Sequence, residues 1–371
     1  MEKKIVILLV LVLAILSGCK NESSKIKKEP LPDKKEPMPK VSEKVEEQTF
    51  SGVKNLSEFK KTMFIPTLEH QIFDDKNSVY CATLLFAWDE IRKQLYAPLI
   101  IPSEFTDLNL LNKSSSYNNV LKLDEYKIYV SIDGENIVAK AEFDKSLPFE
   151  LKLGYSIENF NFNGETVSAF GVFNYDIYEK IKESIQLVYY KNDENFIIKL
   201  LPKDKEHEII LFMSSNDFNS IADMVKEIEK LTIIGMIEMK DKKTNWRYSF
   251  NPEDVIAIPQ FKFNIETEYE TLQTATFKTY NKTFRFQKSY QRTAFSLDES
   301  GAAIESEAEI EVDSFFSGVE IEKPKPKKIL FNKPFLVLLK RTDALNPYFG
   351  LWATNAELMI KKTIPKTEIW P

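Results

Sequence analysis

The order of apolar and polar residues predicts a chain that is helical near its start and built mainly of strands further on. Apolar residues recur at three- and four-residue spacing from Val79 to Leu95, the period of an amphipathic helix. Asn55 and Glu58 lie where capping residues are expected, and another helix is predicted over residues 221–231. β-Branched and aromatic runs predict strands at residues 126–130, 137–143, 185–190, 196–201 and 209–213. These elements predict the α+β class, with helices packed on large, mostly antiparallel sheets.

The first residues carry the pattern of a secreted lipoprotein. Lys3 and Lys4 precede an apolar run at residues 5–16, which is too short to span about 30 Å of hydrocarbon and therefore predicts a signal peptide over residues 1–18. The run ends in small residues followed by Cys19. This order predicts cleavage before Cys19 and a diacylglyceryl thioether on its thiol, with acyl chains such as palmitate entering the membrane. A plain signal peptide with an accidental cysteine is the alternative.

Residues 19–49 mix Lys, Glu and Ser with four prolines and have almost no apolar residue. This composition predicts a disordered tether, which at about 3.1 Å per residue reaches up to roughly 90 Å from a lipid surface. The sequence thus predicts one folded domain at residues 50–363, a short tail at 364–371, and a lipid-anchored protein of the cell envelope. Lys20 is not an acidic retention signal, which favours the outer membrane if the host has one.

Composition narrows the chemistry that this chain performs. The formal net charge is −6 and the basic residues are dispersed, so no nucleic-acid partner is predicted. With Cys19 lipidated, Cys81 has no partner for a disulfide and is expected to be a small buried side chain. His70 and His207 lie in charged stretches and are expected at the surface. We find no phosphate-binding glycine loop, zinc motif or cysteine cluster, so no catalytic residue, metal or cofactor is predicted.

A second pattern occupies residues 302–313, which alternate with period two. One face of this predicted strand carries small or apolar residues, and the other is nearly all acidic after Ala303. A row of carboxylates opposes pairing with a second copy at an open edge. The pattern fits a permanent sheet strand with its acidic face in water, and it fits equally a strand that enters a sheet later.

Several segments of the last third resemble the serpin family, in the family's order. Residues 255–263 read VIAIPQFKF and residues 287–301 read QKSYQRTAFSLDESG. FNKPF at residues 331–335 precedes an apolar strand and then YFGLW at 348–352, as in the family's C-terminal hairpin. The weaker matches are residues 77–80, 163–167 and 185–202. The chain departs from the family in being shorter before residue 139, and in having Cys81-Ala82 where the family has Ser-Pro.

The resemblance implies a serpin-like fold with a reactive loop at residues 301–330 and no catalytic residue in the protein itself. A monomer would then act as a suicide substrate of a serine or cysteine protease. The family's spacing implies a scissile bond near Phe315 and Phe316, although residues 324–328 offer a basic alternative target. Two other interpretations stay open: a non-inhibitory binding lipoprotein, with another extracytoplasmic protein as partner, and an unrecognised enzyme. The implied loop hinge comprises Glu299, Gly301, Ala302, Ala303, Ile304, Ser306 and Ala308.

Overall fold

A computed structural model describes residues 50, 52–133, 136–150, 152–155, 159–172, 184–302 and 326–361. The predicted signal peptide, Cys19 and the tether lie outside these residues, as does the C-terminal tail. Lipidation and the domain boundaries therefore stay predictions.

The largest sheet has seven strands. In their order across the sheet they are β11 (Ile185–Asn192), β12 (Asn195–Leu200), β13 (His207–Met213), β21 (Phe335–Arg341), β22 (Phe349–Ala353), β3 (Asn77–Cys81) and β2 (Thr62–Ile65). Its neighbours are antiparallel except for the edge pair β2–β3. Strand β13 is buried along its whole length, which explains why its sequence is a continuous apolar run and does not alternate.

Smaller sheets complete the strand content of the described residues. Strands β1 (Lys54–Asn55), β15 (Phe261–Glu268) and β18 (Tyr290–Leu297) form a three-stranded sheet in that order. A four-stranded sheet has the order β20 (Lys328–Leu330), β14 (Val255–Pro259), β10 (Ala169–Val172) and β7 (Gly154–Tyr155). The two-stranded pairs are β4 (Lys127–Asp133) with β5 (Asn136–Glu142), β6 (Leu147–Pro148) with β19 (Gly301–Ala302), β8 (Phe160–Phe162) with β9 (Glu165–Val167), and β16 (Thr276–Lys278) with β17 (Thr283–Arg285).

Helices pack around these sheets and confirm the α+β class. In chain order they are α1 (Thr83–Leu95), α2 (Thr106–Lys113), α3 (Ile221–Glu238) and the single turn α4 (Glu270–Gln273). Short 3-10 helices lie at Leu56–Glu58, Asn245–Tyr248 and Ala356–Leu358. In the part of the chain that the structure describes, none of the helices combines the length and the apolar character needed to cross a membrane.

Two helix predictions need correction at their ends. Helix α1 begins at Thr83, because Val79 belongs to β3, where it pairs with Leu351 of β22 and is fully buried. Helix α3 continues past the predicted end at residue 231 to Glu238. Asn55 and Glu58 do form a reciprocal cap, with each side chain accepting a backbone hydrogen bond, but the helix they cap is a single 3-10 turn.

The VIAIPQFKF segment is two strands in different sheets, not one. Pro259 ends β14, and Phe261 starts β15 opposite Leu297. Between them Gln260 donates its amide hydrogen to Ser168 O, 2.9 Å away. Because Pro259 has no amide hydrogen, the chain can leave the ladder there without losing a donor. This crossing connects the four-stranded sheet to the sheet that contains β18.

Candidate functional site

The chain reverses direction immediately after β18. Asp298 and Gly301 exchange backbone hydrogen bonds of 3.1 and 3.2 Å, so Glu299 and Ser300 form a two-residue turn. Asp298 Oδ1 accepts the amide hydrogen of Ser300 at 2.8 Å. Burial raises the pKa of this carboxyl. Gly301 therefore lies antiparallel to Asp298, the residue that follows β18.

Strand β19 is two residues long and lies between the turn and β6. Gly301 and Ala302 pair antiparallel with Pro148 and Leu147. Gly301 has φ +128°, and a Cβ at this position would lie 2.6 Å from Leu147 O. Only glycine fits such a close approach in this backbone conformation. Ala302 is already 96% covered, with 4% of its surface exposed.

Polar contacts hold the turn from two sides. Gln260 Nε2 donates to Glu299 Oε2 at 2.6 Å, and Lys152 Nζ lies 3.5 Å from Glu299 Oε1. The backbone carbonyls of Glu299 and Ser300 accept hydrogen bonds from Leu153 and Phe149, at 2.7 and 2.9 Å. The turn is thus fixed to the segment that contains β6 and to the crossing residue between β14 and β15.

The structure brings together three of the seven implied hinge residues: Glu299, Gly301 and Ala302. The other four, Ala303, Ile304, Ser306 and Ala308, lie outside the described residues together with Phe315 and Phe316. The sequence analysis missed Leu147, Pro148 and Gln260. A two-residue strand is too short to show a period, and the pairing joins positions more than 150 residues apart, so no local signal reveals it.

The edge of β18 that faces away from β15 carries no strand among the described residues. Hairpin β4–β5, which precedes β6 in the chain, is likewise paired only within itself there. Unpaired strand edges present rows of backbone donors and acceptors. Within the described residues, Gly301 of β19 bridges to Asp298 at the end of this edge.

Beneath β18 lies a buried layer of polar side chains. Tyr269 Oη donates to Gln291 Oε1 at 2.7 Å, and Gln291 Nε2 donates to Thr293 Oγ1 at 3.2 Å. The neighbouring Cys81 thiol is free and buried, as the sequence analysis expects. Burial raises the pKa of this thiol in spite of hydrogen bonds with Thr83 and Thr293, which disfavours the reactive thiolate.

The far end of the loop is fixed by a buried lysine. Lys327 has no exposed surface, and its Nζ lies 3.0 Å from Asp254 Oδ2 and donates to Ser249 O at 2.8 Å. Its amide donates to Asp254 Oδ1 at 2.7 Å. Strand β20 begins at the next residue. The expectation that residues 324–328 form a basic protease target is therefore wrong for Lys327, and the loop ends before residue 328.

Both histidines are buried, which corrects the surface prediction. His207 Nε2 lies 2.8 Å from Glu125 Oε1, and its Nδ1 lies 3.3 Å from Tyr348 Oη. Arg341 and Lys145 also bind the Glu125 carboxylate. Burial lowers the pKa of His207. Although burial alone would raise it, hydrogen bonds from the Lys122 amide, Lys145 and His207 lower the pKa of Glu125 to about 2.

His70 lies between a hydroxyl and a carboxylate, but it lacks the access that a catalytic triad needs. Its Nδ1 lies 2.9 Å from Thr67 Oγ1, and its Nε2 lies 3.5 Å from Asp107 Oδ1. Thr67 is completely buried, so a substrate cannot reach the hydroxyl. The described residues contain no group of three or more His, Cys, Asp or Glu that could hold a metal ion.

Comparisons with known proteins return no matching family model and no matching curated protein. Solved structures similar to this chain include the thermophilic serpin tengpin in its native state, at 15% identity and a TM-score of 0.33. That match covers 68% of this chain and 63% of tengpin. Serpin-12 of Manduca sexta is similar at 13% identity and a TM-score of 0.33, over 80% of this chain and 75% of its own. A serpin of the trematode Schistosoma haematobium is similar at 12% identity and a TM-score of 0.34, over 60% and 58%. All three are serpins, and each is similar to part of this chain.

Proposed function

We propose that this protein is a membrane-tethered, serpin-like suicide-substrate inhibitor of serine or cysteine proteases, acting through the loop that begins at Gly301. One observation carries the proposal. Strand β19 lies between β6 and the end of β18, and no other described strand pairs with the edge of β18 that faces away from β15. The period-two pattern of residues 302–313 supplies a segment suited to continue that strand.

The loop is tied to the body of the protein at both ends. Gly301 and Ala302 fix its start, and the Lys327–Asp254 ion pair fixes its end. When the protease nucleophile attacks the carbonyl carbon of Phe315, the peptide bond to Phe316 breaks and the new amine leaves with Phe316. The carbonyl of Phe315 is then bound to the protease as an acyl-enzyme. The segment from Ala303 to Phe315 is released from the Lys327 anchor and is free to extend along β18.

Strand completion supplies the driving force. Each residue that joins β18 would satisfy backbone donors and acceptors at the edge that faces away from β15. The inward side chains Ile304, Ile310 and Val312 contribute about 25 cal/mol for each Å² of apolar surface that they bury. The acidic side chains of the opposite face stay in water and need no partner.

A lipid anchor at Cys19 would keep this inhibitor at the cell envelope, and at the outer membrane if the host has two membranes. The order of charged, apolar and small residues before Cys19 supports this part of the proposal, as does the proline-containing tether.

The deciding experiment incubates the purified protein with chymotrypsin-like and other serine and cysteine proteases and separates the products on a denaturing gel. We expect a covalent complex that survives denaturation, with mass spectrometry placing the acyl bond at Phe315. Complete cleavage without any complex, for every protease that cuts the loop, would contradict inhibition. The non-inhibitory binding lipoprotein would then be the better interpretation.

A further inference from the structure

The outer face of helix α3 changes from charged to apolar halfway along its length. Its buried face, which includes Met224 and Ile228, packs into the core. Gly235 continues this face, and a Cβ there would lie 2.1 Å from Val188 O of β11, so the helix rests directly on the strand. The opposite face points away from the sheet and is exposed.

In the first half of this outer face the exposed residues are Lys226, Glu229 and Lys230. In the second half they are Ile233, Met236 and Ile237, which are 56%, 52% and 65% exposed, and Met239 follows at 42%. Ile233, Met236 and Ile237 recur at three- and four-residue spacing and therefore share this outer face, and we call them, together with the C-cap residue Met239, the α3 patch. Single exposed apolar residues are common, whereas four at one end of a helix are a candidate interaction surface.

Three lysines follow the patch directly. Lys240, Lys242 and Lys243 are exposed, and none has a carboxylate within salt-bridge distance in the described part of the chain. Asp241, which lies among them, accepts the Lys243 amide hydrogen at 3.0 Å. The nearby Glu238 is bound by Arg247 and Tyr248. The apolar patch is therefore bordered by unpaired positive charge.

From this arrangement we infer that the α3 patch is a docking surface for an anionic phospholipid bilayer. Exposed Ile and Met side chains enter the boundary between headgroups and acyl chains, and flanking lysines bind the phosphates above it. Lysine suits this position because its apolar stem can lie along the acyl region while its ammonium stays at the headgroups.

The charges argue against a second copy of the chain as the occupant. In a symmetric dimer the patch would face itself, so Lys240, Lys242 and Lys243 of both copies would border one apolar interface. Like charges brought together in this way disfavour the contact. An anionic bilayer instead complements them.

The predicted tether agrees with this docking without being required for it. A flexible linker of residues 20–49 permits the domain to stand far from the lipid or to lie on it. Anchoring at Cys19 would keep the α3 patch at a high effective concentration near the surface. The inference itself rests on the exposed side chains of α3 and on the lysines after it, and not on protease inhibition.

The test uses the full chain bound to vesicles, with a fluorophore on a cysteine introduced by Ile237→Cys. Leu345→Cys, at a site that is 75% exposed, is the matched control, and labelling of the unmodified chain gives the background. Spin-labelled lipids in vesicles of phosphatidylethanolamine and phosphatidylglycerol act as quenchers. We expect strong quenching at position 237 and little at position 345. This difference should be seen with or without a lipid anchor at Cys19.

A second experiment tests whether the lysines contribute to docking. Changing Lys240, Lys242 and Lys243 to Gln should reduce the docked population by about fivefold per lysine, because each lysine near an anionic surface contributes that factor. Vesicles of phosphatidylcholine should give the same loss. Equal quenching at positions 237 and 345 would overturn the inference. A lipid-independent, concentration-dependent change at position 237 would also overturn it, by showing a second copy on the patch.

Discussion

Lys327 and Asp254 form an ion pair inside the protein, with Nζ 3.0 Å from Oδ2, although the two side chains are 0% and 1% exposed. The rings of Tyr190 and Trp246 flank the ammonium at 5.9 and 5.7 Å. Charges this deeply buried are stable only when each has its partner. The pair therefore joins the C-terminal end of the loop to the segment before β14.

Removing one member of this ion pair should strongly reduce the stability of the fold. Asp254→Ala leaves the Lys327 ammonium buried and unpaired, and we expect the free energy of unfolding to fall by about 3–5 kcal/mol. Replacing both residues together, with Lys327→Met and Asp254→Leu, should recover much of that loss. Urea denaturation of the two variants gives the comparison. A loss under about 1 kcal/mol for Asp254→Ala would contradict the buried pair.

Gly301 should tolerate no side chain. Gly301→Ala combines an unfavourable φ with a collision against Leu147 O, so we expect a loss of about 2–5 kcal/mol in the free energy of unfolding. Gly164→Ala is the matched control, because φ there is +90° but nothing lies within 4 Å of the added Cβ. That variant should lose only about 1–2 kcal/mol. Equal losses would show that the contact with β6 is not close.

Loop insertion predicts that the two faces of residues 302–313 respond differently to the same substitution. Ser306→Arg puts a charge on the inward face, and the protein should become an ordinary substrate that is cut but forms no covalent complex. Glu307→Arg changes the outward face and should keep the complex. Gel analysis after incubation with protease measures both. Ala302→Arg is unsuitable here, because Ala302 is already buried before any cleavage.

Cleavage without a bound protease should stabilise the protein if the released segment joins β18. The added strand supplies backbone hydrogen bonds and apolar burial, so the melting temperature should rise after limited proteolysis near Phe315. Ser306→Arg, cut in the same way, should show no such rise. An unchanged melting temperature in the cut parent protein would indicate that the segment does not insert.

Stability should depend on pH through the buried His207–Glu125 pair. Burial lowers the pKa of His207 below its ordinary value of 6.5, so the unfolded chain binds a proton first and stability falls as pH drops below about 6.5. Glu125 affects stability at lower pH. Folding lowers its pKa from 4.5 to about 2, so the stability that it contributes is lost as the pH falls between those values.

His207→Gln should remove the first of these two losses and should reduce the second only in part, because the Lys122 amide and Lys145 still lower the pKa of Glu125. Urea midpoints of parent and variant across this pH range measure the difference. His70, whose pKa burial also lowers, remains in both proteins and serves as an internal reference. Parallel pH curves for the two proteins would show that His207 does not titrate on unfolding.

Local patterns predict the central sheet of this fold well and the contacts of the candidate site poorly. The strands β11, β12 and β13 were predictable because each is an apolar run long enough to show its character, with a turn at Asp193 between the first two. Strands β6 and β19 have two residues each, so no periodicity identifies them. Only the folded chain reveals their pairing.

Charged residues misled the sequence analysis for a related reason. His207 and Lys327 both stand among charged neighbours, which suggests the surface. Each is buried because its partner comes from far along the chain: Glu125 lies 82 residues from His207, and Asp254 lies 73 from Lys327. Glu299, Gly301 and Ala302 could be named in advance as hinge candidates only because the motif around them resembles a known family.

The two ends of the loop belong to different sheets, β19 beside β6 and β20 beside β14. A cut between them therefore changes the connectivity of the molecule and not only its shape, and no step within the protein rejoins the ends. On the proposed mechanism each molecule would be consumed by one encounter. The protease-inhibiting capacity of a cell envelope that carries this protein would then equal its number of intact copies. Only new synthesis would restore that capacity.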